Sequence, residues 1–226
     1  MSNLIKRIFT FILKENTRNF FAFIYFVTFV VWAMEIDVPE ALGIIGYILH
    51  IIAMIVGGTV YLTEWLEKTF EKNYGKVRQN MWQELKKIFK ELVMFIPVLL
   101  ISMWISELFV GQPLNQIRIE ESFRESPVFD SIITIIIGPM LEEFIFRFLP
   151  YRFIKNKVLY VVISTVVFAK MHVIGDHNAL YYVWLYMIRS SYYAYRYHKT
   201  HDIWVSISMH SFNNLIATLP MIISYF

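Results

Sequence analysis

Two adjacent glutamates and an arginine interrupt the apolar stretch MLEEFIFRFLPY, residues 140–151. A charge at the centre of a bilayer costs about 2.5 to 3.5 kcal/mol on insertion scales, so each of these side chains needs a partner or a function. On a helix, Glu143 and Arg147 are four residues apart on one face, with the acid nearer the amino end, which is the favourable order for an ion pair. Glu142 lies about 100° further around the helix and cannot use Arg147 as directly. A carboxylate in such a place can act as a general base, although an intramembrane Glu–Arg pair is as often structural.

Two histidines in later apolar stretches can complete a reactive site. In VVFAKMH, Phe168 and His172 are one helical turn apart, so the phenyl ring can pack beside the imidazole. In MHSFNN, His210 and Asn214 have the same separation and face the same way. A lone membrane histidine is usually a structural hydrogen-bonding group. An acid, two imidazoles and an amide together supply a base, a group that orients or donates a proton, and donors for a developing oxyanion, which is the inventory of a hydrolytic site.

The composition places these groups in a membrane protein. Of 226 residues, 57% are hydrophobic and 18% aromatic, and the mean hydropathy is +0.50, more than the core of a soluble domain requires. The chain contains no cysteine, which excludes thiol nucleophiles and disulfide bonds. The net charge of +3 comes from short basic clusters between apolar runs, as in cytoplasmic loops, so we expect no nucleic-acid partner.

Seven apolar runs are close to the length of about 20 residues that a helix needs to cross a bilayer. They are residues 20–36, 41–63, 90–110, 131–150, 158–174, 179–196 and 203–224. Because some of these runs are short or marginal, six to eight spans are possible. Lipid allows only helices or closed barrels to span it, and these runs are too long for barrel strands. The sequence therefore predicts an all-α, polytopic helical membrane protein with about seven transmembrane helices.

The same pattern predicts how the chain is organised and oriented. No linker or repeat divides it, so residues 1–226 are predicted to form a single integral membrane domain. Residues 1–127 would contribute amino-terminal membrane helices and a cytoplasmic amphipathic segment at 64–90, and residues 128–220 would carry the candidate chemistry. Basic residues precede the first span and the acidic segment EIDVPE follows it, which places the amino terminus in the cytoplasm.

Three motifs in the second half of the chain resemble those of a known family. EEFIFR matches the pattern EExxxR, FAKMH matches FxxxH, and HSFNN matches HxxxN, in the same order. These are the motifs of the CPBP superfamily, the CAAX proteases and bacteriocin-processing enzymes that are also called the Abi family. The resemblance covers residues 128–220, the CPBP-like catalytic core, and the first half matches only as generic membrane helices.

The resemblance implies a glutamate-dependent intramembrane endopeptidase without a cofactor. Glu142 would activate a water molecule, and His172 would orient that water or shuttle its proton. His210 and Asn214 would stabilise the tetrahedral oxyanion. The supporting residues would be Glu143, Arg147 and Phe168.

Two residues depart from the family pattern. Phe148 follows the motif arginine where many members carry glycine, and Lys170 lies within FAKMH where a small or apolar residue is more usual. Both bear on substrate access and on the shape of the site. Lys170 either extends towards the lipid headgroups or lies near Glu142.

Two alternatives to this chemistry remain open from the sequence. Zinc bound by His172, His210 and Glu142 is an acceptable ligand set, but the H-E-x-x-H spacing is absent and Asn214 is a poor ligand. A non-catalytic membrane scaffold, immunity factor or regulator of the same family would keep the motifs for packing. A transporter has less support, because the chain shows no inverted repeat.

The remaining polar residues in or near the spans are interpreted as structural. His50, Glu91, Glu107 and Arg189 are expected to join helices or reach the interface, and the tract RSSYYAYRYH is expected to form an interfacial belt. The expected partners are membrane lipid and a hydrophobic peptide or membrane-protein substrate. The expected location is the plasma membrane of a bacterium, with a role in peptide maturation.

Overall fold

The structure, a computed structural model, describes residues 15–33, 83, 86–105 and 112–225. These residues form helices joined by short turns and contain no strand, so the predicted all-α class is confirmed for this part of the chain. The helices are α1 (Glu15–Ala33), α2 (Lys86–Ile105), α3 (Leu114–Glu125), α4 (residues 127–153), α5 (Lys157–His172), α6 (Ala179–Thr200) and α7 (Ile203–Tyr225).

Six of the predicted spans coincide with these helices, with ends that differ by a few residues. The predicted span 41–63 and most of the predicted amphipathic segment 64–90 lie outside the described residues. Helix α3 was not predicted, because its sequence is polar and lies between two apolar runs. Within the described ranges, α2 is the one helix that is long and apolar enough to cross a membrane by length and composition. The number of crossings therefore stays a prediction.

The chain divides into two compact units. In one, which includes residues 15–33 and 152–155, Phe153 packs its ring against Phe23 and Phe26. The other unit includes the remaining described residues and thus every candidate site residue. The single domain expected from the sequence stays a prediction.

Helix α4 alternates between α-helical and π-helical turns. Its segments are Pro127–Ile132, the π-helical Ile133–Ile137, Gly138–Glu143, the π-helical Phe144–Phe148, and Leu149–Phe153. The two π-helical segments flank the turn that carries the adjacent glutamates. Single π turns inside α-helices are often found at functional sites.

The first π turn follows from the pair Gly138–Pro139. The Gly138 amide donates to the Ile133 carbonyl, five residues back. A Cβ atom at position 138 would lie 3.0 Å from that carbonyl oxygen, so only glycine fits without a shift of the backbone. Pro139 has no N–H to donate. The Thr134 carbonyl consequently receives no donor from the i+4 or the i+5 position of its own helix.

The second π turn is followed by Pro150. The Leu149 amide donates to the Phe144 carbonyl, again five residues back. Because Pro150 has no N–H, the Phe146 carbonyl lacks its usual i+4 donor. The Ser164 hydroxyl of α5 donates to that carbonyl over 2.6 Å. A side chain from the neighbouring helix thus satisfies the backbone group that the proline leaves free.

The ends of α5 are defined by a cap before the helix and a glycine turn after it. The Asn156 side chain caps α5 by accepting from the Leu159 amide (3.0 Å). After α5 the chain turns at Gly175, whose φ of 74° favours glycine. Asp176 in the same turn accepts from the Leu114 amide (2.8 Å), which joins the turn to the start of α3.

A buried apolar cluster joins α2, α6 and α7. It consists of Phe95, Leu99, Tyr193, Val205 and Met209. An ion pair between the buried side chains of Arg196 and Glu91 joins α6 to α2. This contact agrees with the interpretation of Glu91 as a polar group between helices, whereas His50 and Glu107 lie outside the described residues.

Candidate active site

Three helices bring a carboxylate and two imidazoles together. The Oε2 atom of Glu142 on α4 lies 3.4 Å from Nε2 of His172 on α5 and 3.6 Å from Nε2 of His210 on α7. No hydrogen bond within the described part of the chain uses this buried oxygen. An acceptor held between two imidazoles is arranged to take a hydrogen bond from a molecule that enters beside it.

The opposite nitrogens of the two imidazoles fix their orientation. Nδ1 of His172 lies 2.8 Å from the Phe168 carbonyl, which can only accept, so Nδ1 carries a proton. Nδ1 of His210 lies 2.9 Å from Oε1 of Glu143, which accepts in the same way. In the neutral rings Nε2 is therefore the free acceptor, and both Nε2 atoms face Glu142.

The Glu143–Arg147 pair predicted from the i, i+4 spacing is present and fully buried. Nε of Arg147 lies 3.2 Å from Oε2 of Glu143, and both side chains are 0% exposed. Nη2 of Arg147 donates to the Ser190 hydroxyl of α6 (2.9 Å). The Glu143 carboxylate also contacts the imidazole of His210, and Arg147 balances the charge of this carboxylate.

Aromatic rings hold both imidazoles from the sides. The ring of Phe168 stacks on His172 at 4.2 Å between centroids and lies edge-on to His210 at 5.6 Å. The guanidinium of Arg147 lies 4.4 Å from the centre of the same phenyl ring. Phe168 thus contacts three of the predicted site residues, in agreement with its predicted supporting position.

Two tyrosines of α6 complete this aromatic frame and were not predicted. Tyr186 lies 4.8 Å from His172, and Tyr193 stacks on His210 at 5.3 Å. Tyr193 is 1% exposed, so the interfacial belt expected for its tract is wrong at this position. Tyr186, Ser190 and Tyr193 recur at helical spacing, which marks one face of α6. The sequence offered that signal, but the many tyrosines around it obscured it.

Asn214 reaches the same cavity, but its amide is already engaged. Its Nδ2 donates to the Thr134 carbonyl of α4 (2.9 Å), and its Oδ1 accepts from Nδ2 of Asn213 (3.0 Å). Oδ1 of Asn213 in turn accepts from Nη1 of Arg189 (2.9 Å). The sequence did not single out Asn213, and it interpreted Arg189 as an isolated polar residue.

A cavity of about 380 Å³ lies beside these groups. Its volume is within the range of ligand sites. The predicted residues that line it are Glu142, Phe168, His172, His210 and Asn214. Further lining residues from α6 and α7 are Tyr186, Arg189, Tyr193 and Asn213. The start of α3 closes one side through Asn115 and Gln116.

The two departures from the family pattern lie away from this cavity. Phe148 is buried and stacks on Phe144 at 5.5 Å, and it is not among the lining residues. Lys170 is exposed and forms no ion pair within the described ranges. This agrees with the alternative in which Lys170 extends away from Glu142.

Among the described residues, no group of three or more His, Cys, Asp or Glu side chains is arranged to hold a metal ion. The three side chains considered for zinc, His172, His210 and Glu142, are nevertheless neighbours. The choice between a metal-free and a zinc site therefore depends on a chemical test.

Comparisons with known proteins identify the same part of the chain. Residues 124–216 match the family model described as type II CAAX prenyl endopeptidase Rce1-like. Over 115 residues the chain is 33% identical to the UPF0177 protein YbdJ of Lactococcus lactis subsp. lactis (strain IL1403), which covers 50% of this chain and 49% of that protein. The chain thus matches about half the length of this curated relative. No solved structure matches the chain.

Proposed function

Because residues 124–216 match the family model described as type II CAAX prenyl endopeptidase Rce1-like, we propose that this chain is an intramembrane endopeptidase of the glutamic type. The match to this family model supports a membrane protease. The observation that carries the finer proposal is the position of Oε2 of Glu142, which accepts no hydrogen bond from the described residues and lies within 3.6 Å of imidazole nitrogens from two other helices. The roles of the individual residues below are part of the proposal.

In this mechanism Glu142 is the general base. A water molecule in the cavity donates to Oε2 of Glu142, and the carboxylate takes its proton as the oxygen attacks the peptide carbonyl. The neutral ring of His172 accepts the second O–H of that water at Nε2 and so directs the oxygen lone pair towards the substrate. The Phe168 carbonyl and the stacked Phe168 ring hold His172 in this orientation.

The tetrahedral intermediate carries a negative oxygen that needs donors. Asn214 supplies an amide N–H, and His210 supplies Nε2–H when its ring carries a second proton. Glu143 holds His210 from the Nδ1 side, and Arg147 compensates the charge of Glu143. Protonated Glu142 then returns its proton to the leaving amine, so the reaction consumes one water and needs no covalent intermediate.

The apolar helices around the cavity support a proposal for the substrate class. We propose a membrane-associated or hydrophobic peptide or protein, bound with its scissile bond extended, because a helical carbonyl is already hydrogen-bonded within its own helix. A role in bacterial peptide maturation, in the plasma membrane with the amino terminus in the cytoplasm, is supported by the basic loops and by the bacterial source of the relative.

The decisive test replaces Glu142 by Gln, which changes the volume little and removes the base. Purified wild-type protein and variant are reconstituted in liposomes and offered a pool of hydrophobic membrane peptides, and the products are identified by mass spectrometry. We expect cleavage to fall by about 10²- to 10⁴-fold, the usual contribution of a general base. The matched control is Glu121→Gln, an exposed carboxylate on α3.

The same assay separates the alternatives. Equal cleavage by wild type and Glu142→Gln contradicts a glutamic mechanism. Loss of cleavage in chelator, restored by zinc, favours the metalloprotease, and unchanged cleavage in chelator favours the metal-free site. A wild-type protein that cleaves no peptide, while its Glu142→Gln variant keeps the cellular function, favours the non-catalytic scaffold or immunity protein.

A further inference from the structure

Four polar groups form a directed chain of hydrogen bonds along one wall of the cavity. Nη1 of Arg189 donates to Oδ1 of Asn213 (2.9 Å), and Nδ2 of Asn213 donates to Oδ1 of Asn214 (3.0 Å). Nδ2 of Asn214 donates to the Thr134 carbonyl (2.9 Å). This series of hydrogen bonds links α6, α7 and the first π turn of α4. Arg189 lies outside the three sequence motifs, and Asn213 occupies a variable position of HxxxN.

The two terminal groups of this series determine the donor-to-acceptor direction of its hydrogen bonds. A guanidinium only donates and a backbone carbonyl only accepts, whereas a carboxamide does both. The oxygen of Asn213 must therefore face Arg189, and the nitrogen of Asn214 must face Thr134. Turning either amide over would place two donors or two acceptors against each other and break hydrogen bonds of the series.

The accepting end exists because of the π turn. The Gly138 amide is used by the Ile133 carbonyl, and Pro139 has no N–H, so the Thr134 carbonyl needs a donor from another helix. Asn214 is that donor. The same turn positions Glu142, so the backbone that presents the proposed base also orients the proposed oxyanion donor.

The donating end is held independently of the substrate. Nε of Arg189 donates to the Leu185 carbonyl (3.2 Å) on its own helix, and the guanidinium carbon lies 5.6 Å from the centre of the Tyr186 ring. Asn213 is 6% exposed, so its contacts with Arg189 are shielded from solvent. A hydrogen bond from a charged donor is about twice as strong as one between neutral groups.

We propose that Arg189 and Asn213 are positioning residues that set the orientation of the Asn214 amide. A carboxamide has two N–H groups, and the Thr134 carbonyl uses one of them. The fixed orientation leaves the second N–H, and not the oxygen lone pairs, for a ligand in the cavity. This inference rests on the proposed peptidase function, in which that N–H stabilises the oxyanion.

Loss of the correct orientation of the Asn214 amide should lower kcat. The proposed donor acts on a charge that develops only in the transition state, and removal of one such donor typically lowers kcat by about 10²- to 10³-fold. An inverted Asn214 amide would present an oxygen to the oxyanion and would repel it. Binding of the uncharged substrate would change little, so KM should stay close to that of the wild type.

The sharpest variant is Asn213→Asp. The aspartate still accepts from Arg189 but has no N–H for Oδ1 of Asn214, so the direction of the chain is broken with almost no change in volume. We expect kcat in liposomes to fall by about 10²-fold, at nearly unchanged KM. The matched control is Asn156→Asp, because the helix cap at Asn156 uses only the side-chain oxygen. We expect this control to keep wild-type kinetics.

A double-variant cycle separates positioning from general damage. On an Asn214→Ala background, Asn213→Asp should cause no further loss of kcat, because its effect acts through the missing amide. Arg189→Lys keeps a charged donor and should keep more activity than Arg189→Met, which serves as the second test if Asn213→Asp does not fold.

The experiments distinguish failure of the positioning role from failure of the proposed peptidase function. Wild-type kcat in folded Asn213→Asp, or an equal further loss on the Asn214→Ala background, overturns the positioning role and leaves the proposed peptidase intact. Cleavage that is unchanged in Glu142→Gln, or absent from the wild type, overturns the proposed function and this inference with it.

Discussion

Arg147 is the largest fully buried side chain in the described part of the chain, and Glu143 matches its charge. A buried ion pair adds little net stability, since the loss of hydration offsets most of the attraction, but removing one partner leaves an unpaired charge. Without Arg147, the unpaired charge would be that of Glu143, whose Oε1 lies 2.9 Å from Nδ1 of His210. The motif arginine is therefore structural in its contacts and balances the carboxylate that contacts His210.

At this scale we predict that Arg147→Met lowers the free energy of unfolding by about 3 to 5 kcal/mol. Thermal unfolding in detergent measures the change. The double variant Glu143→Gln/Arg147→Met should recover part of the lost stability, because no unpaired charge remains. Arg118→Met, at an exposed position on α3, is the control and should unfold as the wild type does. A single variant as stable as this control would contradict the prediction.

The elements that position the candidate site depart from regular helical geometry next to its glutamates. Helix α4 has a π turn on each side of the segment that carries Glu142 and Glu143, and a proline follows each π turn. The carbonyls that these prolines leave without helical donors are satisfied by Asn214 in one case and by Ser164 in the other. The neighbouring helices are thus fixed to α4 at the level of the glutamates.

At the scale of the element, Gly138→Ala tests the first π turn. In an ordinary helix this change is stabilising by about 1 kcal/mol. Here the new Cβ would lie 3.0 Å from the Ile133 carbonyl oxygen, so the turn must shift. We expect a lower melting temperature and slower cleavage in the assay of the proposed peptidase, since Glu142 is one turn away.

The control for this turn is Ile136→Ala, an exposed side chain in the same π-helical segment that should have little effect. A Gly138→Ala variant with a raised melting temperature and full activity would indicate that the π turn is dispensable.

At the scale of the whole molecule, the described residues expose apolar side chains to an extent that a soluble monomer rarely does. They occur on every helix from α2 to α7, with examples at Ile101, Ile117, Phe129, Val158, Leu180 and Ile223. The polar groups of the site converge on an interior cavity instead. This distribution is typical of helices that pack around a polar interior and face lipid outside.

At this scale we predict that Ile101→Asp on α2 lowers the amount of protein inserted in the membrane, because a charge facing lipid costs about 2.5 to 3.5 kcal/mol at the bilayer centre. Alkaline extraction of membranes followed by immunoblotting measures the inserted fraction. Ile117→Asp on the polar helix α3 is the matched control and should insert normally. Equal insertion of both variants would contradict a lipid-facing position for α2.

The sequence by itself determined what is local. Spacing of four residues put Glu143 beside Arg147 and Phe168 beside His172, because one helical turn fixes both contacts. Long apolar runs determined the helical class, since a backbone in lipid must satisfy its own hydrogen bonds. The ordered motifs predicted a resemblance to the CAAX proteases, and residues 124–216 match the Rce1-like family model.

Only the tertiary structure decided which side chains meet across helices. The approach of His172 and His210 to Glu142, the face of α6 that carries Tyr186 and Tyr193, and the hydrogen-bonded chain through Asn213 all join residues far apart in the sequence. Helical periodicity gives the face of each residue on its own helix, but not the rotation of one helix against the next. That rotation depends on packing and on the carbonyls that Pro139 and Pro150 leave open to donors from other helices.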